Sequence, residues 1–351
     1  MKKILVWLSW GVDSAVCAYL LKKQGYDITA WFMVNYLAPT WEYCPTLEDI
    51  KVAREVALFL DIPFFTFDYI KDYEKKVLNY MYDWYKKWIT PNPDIMCNSE
   101  IKFKIFLEEA LNLWFDGVAT GHYANIIKDQ TGNRVFLKKW FDKIKDQSYF
   151  LSWLSQNQLS KTIFPIWWLE KKEVRKIANE IWLPNADRKD SQWICFVGRV
   201  DLTKFLEKKI KPKIWKIIDT SGKVLAEHKW VFYYTIWQRK WLNIWGLKEP
   251  VFVIKKDLEN NTLIVWTSKD IELYSDELFL KNIHFLSWKI SIPFVWKAKI
   301  RHSPKDYKCI LKYENNNYIV KFDTPQRAIA SWQICAIYDE NDFLLVSGVI
   351  V

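Results

Sequence analysis

The stretch Ile4-Leu5-Val6-Trp7-Leu8-Ser9-Trp10-Gly11-Val12-Asp13-Ser14 decides how this chain folds. Its apolar half, Ile4–Leu8, predicts a short buried β-strand, and the next segment, Ala15–Lys23, carries apolar side chains at helical spacing. A polar loop at such a junction directs backbone N–H groups and a helix N-terminus at one point, which favours phosphate binding. The loop lacks the Gly-Lys-Ser/Thr of a Walker A motif. An ordinary turn capped by Asp or Ser is the alternative interpretation.

Strand-like and helix-like segments alternate through the first 200 residues. Further strands are predicted at Asp27–Val34, Phe64–Phe67 and Gly117–Ala119. Helices are predicted at Leu47–Leu60 and Ile101–Leu113. This alternation predicts the α/β class, with a parallel sheet covered by helices on both faces.

The remainder of the chain has a different pattern. Strands predominate from Val251 onward, and the segments 309–313 and 318–322 have apolar residues at alternate positions, which predicts an antiparallel barrel or sandwich. We therefore expect an α/β domain over residues 1–200, a small central domain over 201–265 and a C-terminal antiparallel β-barrel over 266–351.

Composition indicates a globular protein without a membrane partner. Half of the 351 residues are hydrophobic and 26% are charged, which excludes a disordered or fibrous chain. No run approaches the ~18 apolar residues of a membrane helix. Ser9, Asp13 and Ser14 interrupt the apolar start, unlike a signal peptide, so we expect a cytoplasmic protein. The net charge of +10 suits a nucleic acid partner, or serves solubility alone.

The six cysteines are spread along the chain without a Cys-x-x-Cys pair, so we expect no metal site. Cys17, Cys309 and Cys335 are expected in the core. Cys97 and Cys195 each lie in a polar segment and are candidate reactive thiols, and the role of Cys44 stays open.

The surroundings of Cys97 support this interpretation. A helix is expected to begin at Asn98 or Ser99, and a helix N-terminus lowers the pKa of a neighbouring thiol. Asp94, three residues before Cys97, is a candidate general acid or base.

The loop Ser9–Ser14 resembles the SGGxDS loop of the PP-loop ATP pyrophosphatases, which transfer AMP to a carbonyl oxygen. Five further segments extend the resemblance: 90–98, 119–123, 145–151, 190–196 and 234–240. With them, the chain resembles the tRNA-specific 2-thiouridylases from residue 2 to about 350.

The resemblance implies a tRNA-uridine 2-sulfurtransferase. In that family ATP, with Mg²⁺, adenylates the C2 oxygen of the wobble uridine in the anticodon loop. By the resemblance, Cys195 carries a persulfide received from a sulfur-relay protein or a cysteine desulfurase, and Cys97 is the nucleophile that releases its sulfur. The products are 2-thiouridine, AMP and pyrophosphate, and a transient Cys97–Cys195 disulfide remains. No permanent cofactor is implied, and the central domain would bind tRNA or act as a linker.

The resemblance also implies which residues bind each substrate. The ATP site matches Trp7, Leu8, Ser9, Trp10, Gly11, Val12, Asp13, Ser14, Met33 and Gly121. The target base matches Asn92, Pro93 and Asp94. Further tRNA contacts match His122, Lys145, Asp146, Gln147, Arg301, His302 and Gln333, with His302 standing where the family commonly has Tyr.

The chain departs from this family in its glycines. It has 22 Trp and 9 Gly, where average usage predicts roughly 25 Gly. Tryptophan occupies positions that match family glycines at 7, 10, 31, 88, 114, 140, 167, 182, 193, 215, 230, 237, 241, 245, 266 and 332. Some bacteria read UGA as glycine and others as tryptophan, and our hypothesis is that UGA codons meant as glycine were decoded with the tryptophan table. An indole at Trp10 would otherwise crowd the phosphate or strain the turn.

Two other functions stay open. One is another PP-loop adenylating enzyme, such as an amidating synthetase, which needs no paired cysteines. The other is a tRNA-binding homologue impaired in catalysis, if residue 10 is tryptophan.

Overall fold

The computed structural model describes the chain apart from residues 38–44, 88, 133, 189–205, 208, 210–213, 229–233, 235–237, 239–241, 243, 248, 258–259, 261, 268–273, 287–291 and 328. The described α-helices are α1 Val12–Lys23, α2 Pro45–Phe59, α3 Ile70–Tyr73, α4 Asn79–Lys86, α5 Pro93–Met96, α6 Phe106–Asn112, α7 Gln156–Ser160 and α8 Lys171–Glu180. The π-helical segments Glu74–Leu78 and Cys97–Ile105 join α3 to α4 and α5 to α6, and a 3₁₀ turn spans Ser148–Leu151.

The strands of the N-terminal half are β1 Lys3–Trp7, β2 Asp27–Val34, β3 Phe64–Asp68, β4 Gly117–Ala119, β5 Asn125–Lys128, β6 Val135–Lys138 and β7 Thr162–Ile163. Those of the C-terminal half are β8 Trp215–Ile218, β9 Val224–His228, β10 Val251–Asp257, β11 Thr262–Thr267, β12 Tyr274–Phe285, β13 Phe294–Lys299, β14 Tyr307–Glu314, β15 Asn317–Arg327, β16 Ile334–Tyr338 and β17 Leu344–Ile350.

Five strands of the N-terminal half form a parallel sheet in the order β3-β2-β1-β4-β7. The side chains of β1 alternate between two cores, with Leu5 and Trp7 in one and Ile4 and Val6 in the other. Since neighbouring side chains of a strand point to opposite faces, β1 is buried on both sides. The predicted α/β class is confirmed.

The strand order reverses between β1 and β4. The chain proceeds outward from β1 through β2 and β3, and then returns to add β4 and β7 on the other side. Ligands of open α/β sheets bind where such a reversal occurs, at the carboxyl ends of the strands. The loop between β1 and α1 lies at this position.

The C-terminal half contains a four-stranded sheet, β10-β11-β8-β9, and a closed antiparallel barrel, β12-β15-β14-β13-β16-β17. The barrel predicted from alternation is confirmed: the pairs Cys309↔Phe322 and Leu311↔Val320 place the buried residues of β14 and β15 side by side. The domain limits at 200 and 265 remain a proposal, and β11 continues to Thr267, so a limit at 265 would divide that strand.

The barrel is attached to the N-terminal domain through buried polar contacts. Lys299 Nζ lies 2.9 Å from Asp146 Oδ2, and both side chains are almost wholly buried. The Tyr149 hydroxyl donates to the Ile334 carbonyl at 3.0 Å, and the Ser347 hydroxyl donates to the carbonyl of Ser152 at 2.7 Å. These contacts fix the barrel against the segment that follows the β5–β6 hairpin.

Four helix ends share a hydrogen-bonded turn that needs one residue in the left-handed conformation. That residue is Gly25 after α1 and Asp61 after α2, with φ of 83° and 48°. After α6 and α8 it is Trp114 and Trp182, with φ of 62° and 58°. Glycine is the usual residue here, because a side chain in this conformation costs roughly 1–2 kcal/mol. Trp332, with φ 71°, has the same conformation in the turn before β16.

Candidate active site

The loop between β1 and α1 is held by two serine hydroxyls. Ser9 Oγ and Ser14 Oγ lie 3.0 Å apart, and the Ser14 hydroxyl also lies within hydrogen-bond distance of the Ser9 N–H and the Gly11 carbonyl. The Gly11 N–H donates to Ser9 Oγ at 3.2 Å. The loop therefore has a defined shape before any ligand binds, and helix α1 starts directly after Gly11.

Gly121 brings a second backbone against this loop. A Cβ at position 121 would lie 2.8 Å from the carbonyl carbon of Asp13 and 2.9 Å from the Ser14 nitrogen. Real Cβ atoms do not approach backbone this closely, so only glycine fits. The segment after β4 and the N-terminus of α1 thus form one continuous backbone surface at the strand reversal.

Trp10 is half-buried and has ordinary negative φ, so the strained turn expected at this residue is not present. Its carbonyl accepts a hydrogen bond from Asn185 Nδ2 at 3.0 Å. The Arg188 guanidinium carbon lies 5.3 Å from the centre of the indole ring. The indole is accommodated beside Arg188. We still expect it to conflict with a phosphate bound at the loop.

Two tryptophans lie side by side on the neighbouring strands β1 and β2. Trp7 and Trp31 are paired in register and buried, next to Met33 of the expected ATP site. The rings of Trp31 and Phe67 have centroids only 3.3 Å apart, whereas aromatic pairs usually lie 4.5–7 Å apart. The Trp31 Nε1 is buried, and none of the described residues forms a hydrogen bond with it. Large side chains therefore fill the space beside the loop tightly.

Asp13 is the acidic group of the loop and has two partners from distant segments. Lys171 Nζ lies 2.6 Å from Oδ1 and 2.7 Å from Oδ2 of Asp13. The Tyr123 hydroxyl donates to Asp13 Oδ1 at 2.7 Å. The sequence assigned no role to Lys171 or Tyr123, because neither belongs to the loop and Lys171 is 158 residues from Asp13.

The helix that carries Asp94 and Cys97 begins earlier than predicted. Asn92 is its N-cap, with its side-chain oxygen accepting from the Ile95 N–H at 3.3 Å, and Pro93 is the first helical residue. The prediction of an N-cap at Asn98 or Ser99 was wrong, because proline at the first helical position moved the start. Cys97 therefore lies in the second turn and is buried.

Asp94 presents an oxygen without a local partner. Its Oδ1 is buried and has no hydrogen-bond partner among the residues that the structure describes. Burying an unpaired carboxylate oxygen is costly, so this atom is suited to a donor that arrives with a ligand. This fits the expected contact with the target base.

The three expected tRNA contacts of the barrel form hydrogen bonds within the protein. Gln333 Nε2 donates to the Thr90 carbonyl at 2.8 Å, and His302 Nε2 lies 3.2 Å from the Asp146 carbonyl. Burial lowers the pKa of His302, while the carboxylates of Asp146 and Asp94 act in the opposite direction. Arg301 donates to the carbonyl of Arg327 at 2.6 Å.

The segment 145–147 divides between surface and core. Lys145 is exposed, and Gln147 accepts from the Tyr123 N–H at 3.0 Å. Asp146 is fully buried and accepts from the Trp140 and Ser148 N–H groups in addition to its pairing with the barrel. The Asp146 side chain is therefore not accessible for a direct contact with tRNA in this conformation. Its contacts instead hold the segment 145–147 in place.

His122 lies between the loop and the hydrophobic core. Its Nδ1 is 2.7 Å from the Thr120 hydroxyl, and its ring packs near Phe103 and Phe164. Burial and the nearby Lys102 ammonium hold the pKa of His122 well below its usual value. The imidazole is therefore neutral at pH 7 and would contact tRNA by hydrogen bonding or stacking rather than by charge.

The four cysteines that the structure describes are all buried, the candidate nucleophile Cys97 included. Cys17, Cys309 and Cys335 are buried, as predicted, and burial raises the pKa of each thiol. Such thiols are poor nucleophiles at neutral pH. Cys44 and Cys195, like Trp193, Trp237 and Trp241, lie outside the described residues. In the part of the chain that is described, no helix is both long and apolar enough to cross a membrane.

The parallel sheet with its strand reversal and its serine-held loop without Walker A lysine defines the class: this is a PP-loop protein. Three family profiles cover the chain. They are described as the tRNA methyl transferase HUP domain (residues 2–199), the tRNA methyl transferase PRC-barrel domain (203–267) and the aminomethyltransferase beta-barrel domain (275–350).

Full-length relatives specify the family further. The chain is 40% identical to the tRNA-specific 2-thiouridylase MnmA of Karelsulcia muelleri (strain GWSS), covering 99% of this chain and 98% of the relative. It is 40% identical to the MnmA of Flavobacterium johnsoniae over the whole of both chains, and 41% identical to MnmA 1 of Geobacillus kaustophilus, covering 99% and 95%. The chain belongs to the tRNA-specific 2-thiouridylase family.

Proposed function

We propose that this protein is a tRNA-uridine 2-sulfurtransferase that uses ATP, as its Mg²⁺ complex, to activate the C2 oxygen of the wobble uridine. The arrangement of Asp94 and Cys97 carries this proposal. The two residues lie in successive turns of one helix, so a base bound at Asp94 would lie near the thiol. The barrel contacts the chain just before this helix, at Thr90. The relatives named 2-thiouridylase support the same reaction.

The chain's own residues divide the work as follows. The N–H groups at the start of α1 and the loop Ser9–Ser14 would bind phosphate, as helix N-termini do. The unpaired Oδ1 of Asp94 would accept a hydrogen bond from the uridine and hold or release a proton there. Lys145, Arg301 and the overall charge of +10 would bind the tRNA backbone.

The sulfur steps use the two candidate thiols. Cys195 would receive a persulfide from a sulfur-relay protein or a cysteine desulfurase. The Cys97 thiolate would attack the inner sulfur of that persulfide, break its S–S bond and release hydrosulfide, which would attack C2 and displace AMP. A Cys97–Cys195 disulfide would form and be reduced by an external thiol. Cys97 is buried, so the attack requires the thiol to become accessible when tRNA binds. We expect this reaction to take place in the cytoplasm.

An assay on unmodified tRNA transcript tests the proposal, with ATP and a cysteine desulfurase that supplies persulfide sulfur from cysteine, and without added sulfide. We expect AMP and 2-thiouridine to form together, as measured by chromatography and nucleoside mass spectrometry. Cys97→Ser and Cys195→Ser should abolish 2-thiouridine. Cys309→Ala, which removes a buried barrel thiol, is the matched control and should retain it.

The two alternatives give different results in the same assay. Full activity of Cys97→Ser would favour another PP-loop adenylating enzyme. Salt-dependent tRNA binding without any AMP would favour a catalytically impaired homologue, the outcome expected if residue 10 is tryptophan and blocks phosphate.

We also propose that the tryptophans at family glycine positions are glycines encoded by UGA. The left-handed φ of Trp114, Trp182 and Trp332 supports this, because a bulky residue in that conformation is a rare outlier. Trp114 and Trp182 are also 88% and 84% exposed, so packing gives them no compensation. UGG codons at these positions would disprove the proposal.

A further inference from the structure

The side-chain ammonium group of Lys171 lies directly beside the phosphate loop. Its ammonium contacts both carboxylate oxygens of Asp13, the second residue of α1. The two side chains are largely but not wholly buried, at 14% and 29% exposure. The pair therefore lies at the edge of the crevice, where an incoming ligand can reach it.

The backbone around Lys171 is rigid. Lys171 is the first residue of α8, and its N-cap Glu170 forms a reciprocal capping box with Glu173. Helix α8 packs against α1, so the Cα atom of Lys171 is fixed relative to the loop. Only the flexible end of the side chain is free to change partner.

Asp13 keeps a partner if the ammonium leaves. The Tyr123 hydroxyl donates to Asp13 Oδ1, and it comes from the segment after β4 rather than from α8. A carboxylate that loses its only partner in a half-buried site costs about 1–3 kcal/mol. The Tyr123 hydrogen bond reduces that cost, so this arrangement is better suited to exchange than a simple ion pair would be.

We propose that Lys171 is a catalytic residue that moves from Asp13 to the β- and γ-phosphate oxygens of ATP and stabilises the departing pyrophosphate. This inference rests on the ATP-dependent adenylation proposed above. In that step the uridine C2 oxygen forms a bond to the α-phosphorus, the bond from the α-phosphorus to the bridging oxygen breaks, and its electron pair stays on pyrophosphate. The ammonium faces the charge that develops there.

Lys171→Met tests the proposal, with Lys172→Met as the matched control. Lys172 is the next residue, is exposed, and pairs with the neighbouring Glu170 at 2.6 Å. We expect Lys171→Met to lower kcat/KM for ATP by about 100-fold, the usual effect of removing one donor to a developing charge. Inhibition by inorganic pyrophosphate should weaken at least tenfold, while inhibition by AMP should not change. Lys172→Met should behave as wild type.

A structural tether would give a different pattern. If Lys171→Met weakens inhibition by AMP and by pyrophosphate equally, the lysine only holds α8 against α1 and the inference is overturned. If the wild-type protein forms no AMP at all, the adenylation proposal fails instead. In that case, calorimetric titration with inorganic pyrophosphate tests the role of Lys171 separately. Equal affinities of wild type and Lys171→Met for pyrophosphate would refute a role in pyrophosphate binding.

Discussion

Lys299 Nζ and Asp146 Oδ2 lie 2.9 Å apart in a region that water does not reach. The ion pair joins the barrel to the segment expected to contact tRNA. Asp146 is stabilised further by the N–H groups of Trp140 and Ser148, at 3.1 Å each. Charged groups are buried in this way only when their hydrogen-bonding capacity is met.

Breaking this pair should be costly, because it leaves a buried charge without its partner. We expect Lys299→Met to lower the free energy of unfolding by about 3–5 kcal/mol, measured by urea denaturation. Lys321→Met removes a lysine from an exposed pair with Asp276 at 4.0 Å and should change it by less than about 1 kcal/mol. Equal effects of the two variants would show that the buried pair contributes no more to the free energy of unfolding than the exposed pair.

Replacing the left-handed tryptophans with glycine should stabilise the protein. Trp114→Gly and Trp182→Gly should each raise the free energy of unfolding by about 1 kcal/mol, because glycine adopts positive φ without strain. Trp168→Gly is the control: Trp168 is 49% exposed and has ordinary φ, so glycine should give no gain there. A loss of stability in all three variants would contradict the argument from backbone conformation.

Trp10→Gly should improve ATP binding. We expect the indole to crowd an approaching phosphate, whereas glycine would leave the backbone N–H groups accessible. We expect a lower KM for ATP in AMP formation, with tRNA affinity unchanged. A variant that binds ATP no better than the parent would show that the indole beside Arg188 does not obstruct the site.

Acid should destabilise the protein through His122. Burial and Lys102 lower the folded-state pKa, so the unfolded state binds a proton first as the pH falls below about 6.5. Stability from this group is therefore fully present above that pH and is lost as the pH decreases toward the folded-state pKa, by up to about 1.4 kcal/mol per pH unit. His122→Gln should flatten this dependence in denaturation curves recorded between about pH 7 and 5. An unchanged slope would mean that other groups cause it.

Local pattern predicted the strands better than the site. The limits expected for 27–34 and 117–119 agree with β2 and β4, because apolar runs bounded by turns leave little choice. The helical region 70–86 was not predicted, and its π-helical middle breaks the regular helical period. Asp146 looked like a surface residue in a polar sequence, yet it is buried because its partner Lys299 is 153 residues away. Partners of this kind leave no local signal.

The contact at Gly121 has a mechanical consequence. No side chain separates its backbone from that of Asp13 and Ser14, so neither segment can shift without displacing the other. His122, the adjoining residue, is expected to contact tRNA, and Asp13 is expected to lie in the ATP site. This contact would therefore couple the position of the phosphate loop to that of His122.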